Sequence, residues 1–70
     1  MDTTTKIIMR ILNDACQSEN GILMANYASY YESLDANQSK TVVSDAIKKL
    51  VKENGNASCD FGEDSFTLTI

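Results

Sequence analysis

The amino-acid sequence predicts a small α+β domain, three helices followed by a C-terminal two-stranded antiparallel hairpin, with residues 1–70 forming one unit. Three observations carry that prediction. Residues 4–18 and 39–55 each repeat apolar residues at i, i+1, i+4, i+5 spacing, which places them on one half of a helical wheel. Residues 23–34 set Leu23, Tyr27, Tyr30, Tyr31 and Leu34 on one stripe with Asn26, Ser29 and Ser33 opposite. After Gly55 the pattern changes to strict alternation on either side of Gly62-Glu-Asp-Ser65.

In the first helix, Ile7, Ile8, Ile11, Leu12, Ala15 and Cys16 form the apolar half. Lys6, Arg10, Asn13, Asp14 and Gln17 fill the polar half, with Met9 on the boundary and Arg10 spaced for an i,i+4 pair with Asp14. Asn20-Gly21 supplies a left-handed stop. The second helix is expected over 23–34, its three tyrosines filling a small core with their hydroxyls wet. Asp35–Ser39 reads as a turn, with Asn37 and Ser39 as candidate N-caps. The third helix repeats the first register through Val42, Val43, Ala46, Ile47, Leu50 and Val51, and Asn54-Gly55 ends it. Its outward face holds Thr41, Ser44, Asp45, Lys48 and Lys52, with Asp45 and Lys49 ordered for an i,i+4 pair.

The hairpin register follows from the alternation. A four-residue loop at 62–65 sets Phe61 opposite Phe66, Cys59 opposite Leu68 and Ala57 opposite Ile70. All the apolar residues then share one face, and a slip of one residue would break that agreement. The expected core is Ile8, Ile11, Leu12, Ala15, Leu23, Tyr27, Leu34, Val43, Ala46, Ile47, Leu50, Phe61, Phe66 and Leu68. A core of this size rarely supplies more than about 3–5 kcal/mol of net stability.

Composition narrows the function classes. The hydrophobic fraction of 43% is that of a globular domain. No apolar run approaches the ~20 residues of a membrane span, and Met-Asp-Thr-Thr-Thr is not the start of a secretory signal. The expectation is a cytoplasmic protein without a membrane role. Cys16 and Cys59 read as small reduced hydrophobes. With no histidine, no Gly-rich phosphate loop and no nucleophile beside a base, the sequence points to no enzyme, no cofactor and no zinc site. Asp60, Glu63 and Asp64 do not match a calcium loop. Formal net charge is −4, yet residues 37–54 are net-basic, with Lys40, Lys48, Lys49 and Lys52 against Asp45 and Glu53.

The pattern Ser39-x-Thr-Val-x-Ser-x-Ala-Ile-x-x-Leu50, followed by Asn54-Gly55 and a hairpin, resembles the winged helix-turn-helix family of DNA-binding regulators. The resemblance spans residues 4–70 as an element order and 34–55 as a motif. In many members a short strand precedes the second helix, a place that Gly21-Ile-Leu-Met24 would occupy. The resemblance implies that the third helix enters the major groove of double-stranded DNA, with the hairpin as a wing. By position, Gln38, Ser39, Lys40, Thr41 and Ser44 would approach bases, and Lys48 and Lys52 phosphates. Roughly three or four phosphate contacts per protomer would give modest, salt-sensitive affinity, which a homodimer would double in number.

Three features depart from the DNA-binding pattern, and the last of them favours a second class. The 35–39 turn lacks glycine, the third helix lacks arginine, and the hairpin tip carries Glu63 and Asp64 where a DNA-binding wing offers basic residues. Winged-helix domains also serve as protein-interaction modules or inhibitors, including phage- and mobile-element-encoded factors that bind a host protein complex. Under that reading Tyr30, Tyr31, Asp60, Glu63 and Asp64 would meet the partner protein.

Overall fold

The computed structural model describes residues 2–31 and 36–70. Among these residues it is an α+β arrangement of two α-helices and a three-stranded antiparallel sheet. In chain order these are α1 (Thr3–Gln17), β1 (Ile22–Asn26), α2 (Ala36–Glu53), β2 (Ser58–Phe61) and β3 (Ser65–Thr69), with strand order β1-β3-β2. Short 3-10 turns at Glu19–Gly21 and Tyr27–Tyr30 flank β1.

Asp2 starts α1, its carboxylate accepting the Thr5 N–H at 2.7 Å. That bond, ahead of any other influence, holds the Asp2 carboxyl below its usual range. Ile7, Ile11 and Ala15 form the buried stripe, with Ile8 and Leu12 half-buried beside it. The stripe is therefore centred one residue earlier than the expected core, which named Ile8 and omitted Ile7. At the other end, Ser18 donates its N–H to Ala15 O and its Oγ to Asp14 O. Asn20 and Gly21, at φ of 60° and 69°, then turn the chain into β1.

The expected helix over 23–34 is corrected. Residues 22–26 form a strand, paired over their whole length with β3 from Ile22↔Thr69 to Asn26↔Ser65. The hairpin is thus extended to three strands, and β3 becomes the central one. Tyr27 and Tyr30 lie on a 3-10 turn, where residues three apart share a side, so their spacing satisfies a helical stripe without an α-helix. Leu34, as an expected core residue, and the expected turn at Asp35 lie outside the described residues. Since α2 begins at Ala36, Ser39 lies within the helix rather than at its cap, and the expected cap at Asn37 falls on a side chain outside the described residues.

The hairpin register is the expected one at Phe61↔Phe66 and Cys59↔Leu68. The paired residues of β2 and β3 end at Ser58↔Thr69, one step short of the expected Ala57–Ile70 pair, and the Ile70 N–H donates to Gly21 O at 3.0 Å in continuation of the β1–β3 ladder. The core joins Ile7, Ile11 and Ala15 to Tyr27, Tyr30, Val43, Ala46, Ile47, Leu50, Phe66 and Leu68. Phe66 sits at its centre, 5.5 Å from the Tyr27 ring and 6.1 Å from the Tyr30 ring. Phe61, expected inside, is 42% exposed because it ends an edge strand. At the end of α2, both the N–H and the side-chain amide of Asn54 bond Leu50 O, which stops the helix.

Candidate nucleic-acid interface

The inward stripe of α2 fixes what its outer face presents. Val43, Ala46, Ile47 and Leu50 are fully buried, so Thr41, Asp45, Lys48, Lys49 and Lys52 project to solvent, as does Gln38 one turn earlier. Of the seven residues assigned to DNA, Gln38, Thr41, Lys48 and Lys52 are exposed, and Lys40 and Ser44 are half-buried. Ser39 belongs to the opposite side. It is 0% exposed, and its Oγ donates to Tyr31 O at 2.9 Å. Because α2 starts at Ala36, Ser39 falls one turn before Val43 on the buried stripe. It anchors the helix to Tyr31 and is not placed to meet a base.

The β2–β3 hairpin flanks this face and is tied down. Tyr27 donates its hydroxyl to Gly62 O at 2.9 Å and its N–H to Asp64 O at 3.2 Å, while Gly62 N–H closes the turn onto Ser65 O at 2.8 Å. A Cβ at position 62 would stand 2.8 Å from Ser65 O, so this turn requires glycine. Burial pushes the Tyr27 phenol above its ordinary pKa.

Two lysines of α2 rest against hairpin-side aromatic rings. The Lys40 ammonium is 5.9 Å from the Tyr27 ring centroid, and that of Lys48 is 5.8 Å from the Phe61 ring centroid. Lys40 also lines a small depression with Asn26, Tyr27, Ala28, Glu63 and Asp64. The first lysine of the helix thus shares its surroundings with the acidic tip. Lys48, Lys49 and Lys52 form the basic part of the face that projects beyond it.

The residues assigned to a protein partner do not form one patch. Tyr30 is only 5% exposed, and its hydroxyl donates to Asp14 Oδ2 at 2.7 Å, so it is a core residue. Burial, reinforced by that carboxylate, raises its phenol pKa far above the ordinary value. Arg10 lies 5.4 Å from the same ring centroid and donates to Ser29 O. Arg10 and Asp14 therefore both engage Tyr30. Tyr31 is half-buried, Asp60 lies on β2 opposite Thr67, and Glu63 and Asp64 occupy the hairpin turn. Among the described residues no three His, Cys, Asp or Glu side chains are grouped to hold a metal ion. No described helix is long and apolar enough to cross a membrane.

The exposed apolar side chains of β1, Ile22 and Met24, were not among the expected site residues. Ile22-Leu-Met-Ala is continuously small or apolar, so no alternation separates its outer face from its inner one. The preceding Asn20-Gly21 was the available sign that a new element begins there. No family model matches the chain, and neither a curated protein nor a solved structure matches it significantly.

Proposed function

We propose that the chain is a small DNA-binding domain of the winged-helix kind, acting as a transcriptional regulator that lays the outer face of α2 against duplex DNA. One observation carries this reading. Gln38, Thr41, Lys48 and Lys52 project from a helix whose other side is fully committed to the core, with a hairpin held rigidly beside it. The element order supports it further, since a strand between the first helix and the recognition helix joins the wing strands in one sheet. Lys48 and Lys52 neutralise phosphates, and Gln38 and Thr41 face base edges. Lys40 steadies the wing, and Ser39 holds the helix start.

The test is retention on duplex DNA at low salt. Lys48→Glu combined with Lys52→Glu removes retention and leaves the circular dichroism spectrum unchanged. If the unaltered chain shows no duplex binding at about 50 mM salt, where the electrostatic contribution is large, the reading is wrong.

A second reading, a protein-interaction module, has its own support in the rigid acidic tip. Glu63 and Asp64 are exposed on a turn fixed by two bonds from Tyr27, a pre-organised pair of carboxylates for a basic partner surface. Glu63→Lys with Asp64→Lys would then abolish a stoichiometric protein complex. Under the DNA reading the same change strengthens duplex binding.

A further inference from the structure

The free edge of β1 is complementary to its own inverted copy. Antiparallel pairing alternates the direction of backbone groups along a strand. Gly21 O accepts from Ile70 N–H, and Tyr27 N–H donates to Asp64 O, so the residues in phase with them, Leu23 and Ala25, turn their backbone groups toward β3. Ile22, Met24 and Asn26 turn theirs to the opposite side, where β1 has no strand neighbour among the described residues. The Ile22 N–H is taken by Glu19 O. That leaves Ile22 C=O, Met24 N–H, Met24 C=O and Asn26 N–H on the free edge, with no backbone bond to them among the described residues outside the sheet and helices.

We propose that β1 pairs antiparallel with β1 of a second copy about a two-fold axis at Met24, merging two three-stranded sheets into one. Met24 then faces the partner's Met24 and the two exchange N–H···O=C bonds. Asn26 N–H donates to the partner's Ile22 C=O, and the same bond recurs on the other side of the axis. Each free donor on the edge finds a free acceptor, and the one donor already used, Ile22 N–H, is not required. A second copy fits this edge for two further reasons. Residues 22–26 carry no charge, so pairing brings no like charges together in a chain of net charge −4. Met24, 77% exposed, comes to lie beside its counterpart on the outer sheet face, and Ile22, 42% exposed, beside the partner's Asn26, next to the uncharged Thr67 and Thr69. No Lys, Pro or inward charge guards this edge, whereas β2 at the other edge carries Asp60.

This interface stands whether or not the domain binds DNA. If it does, two α2 faces are fixed in one particle and the phosphate contacts double in number.

Sedimentation equilibrium of the full chain tests it. The unaltered protein reaches twice the monomer mass across a concentration series. Met24→Lys sets two ammonium groups at the axis and returns it to monomer mass. Met24→Pro, which removes the central N–H at an edge position, does the same. Phe61→Lys, on the other edge strand, leaves the dimer intact, and circular dichroism verifies the fold of each variant. Amide exchange at Met24 and Asn26 slows as concentration rises. A monomer at all concentrations overturns the proposal, as does a dimer that survives both Met24 variants or that Phe61→Lys alone dissociates.

Discussion

The two helices are built on the same inward pattern and differ in how their outward charges are used. On α1, Arg10 lies over Tyr30 and bonds Ser29 O, and Asp14 accepts from Tyr30, so the polar side of the helix is tied to the 3-10 turn beneath it. On α2, Lys48, Lys49 and Lys52 project to solvent, and only Lys40 shares its surroundings with the acidic turn. The same amphipathic spacing thus makes one helix a clamp and leaves the outer lysines of the other exposed. A charged residue on an outer helical face gains meaning from what lies across from it, and the helix's own pattern does not reveal that.

Five substitutions separate these roles. The largest effect belongs to the residue that both helices depend on. Phe66→Ala removes the ring between Tyr27 and Tyr30 and costs about 3–5 kcal/mol in urea unfolding, most of the stability of so small a domain. An effect under about 1 kcal/mol would show that the core closes without it. Next comes the clamp. Tyr30→Phe leaves Asp14 without its donor, lowers stability by about 1 kcal/mol and leaves duplex binding unchanged. A parallel loss of binding would mean that α1 does more than support.

Smaller still is the cap. Asp2→Ala lowers the unfolding midpoint at neutral pH. Because the folded-state pKa of Asp2 lies below the ordinary 3.8, its contribution is present above that value and fades as pH falls through the folded pKa. The midpoints of the two proteins therefore converge in strong acid, and a constant gap would assign the effect to something other than the ionised carboxylate. The smallest effect is expected at Lys6, on the exposed side of α1. Lys6→Gln changes neither stability nor duplex binding measurably, whereas Lys48→Gln lowers the salt slope of binding by about one.

How much of this was legible in the sequence varied with the range of the interactions involved. The β2–β3 register could be read because residues 57–70 alternate strictly about a single turn, a local signal. Both helices could be read for the same reason, at a period of 3.6. The strand at 22–26 could not be read from periodicity, and only the family resemblance offered a strand there, at Gly21-Ile-Leu-Met24. Its run of small and apolar residues has no clear period, and its identity depends on β3, about forty positions away in the chain. Ser39 misled because a polar residue near a helix start suggests a cap or a contact. Its burial follows from a helix that begins one turn earlier and from the Tyr31 carbonyl it bonds. The meeting of Lys40 with Glu63 and Asp64 was hidden in the same way, since Tyr27 brings the turn there from thirty-five positions away.

The outer face of α2 as a duplex-binding surface is tested most directly by the salt dependence of binding to a labelled DNA duplex, followed by fluorescence anisotropy. With roughly three or four phosphates neutralised per protomer, log K falls with log salt at a slope near −3, and Lys48→Glu with Lys52→Glu removes most of that dependence. A flat salt response, or a slope that the double variant leaves intact, would contradict the account.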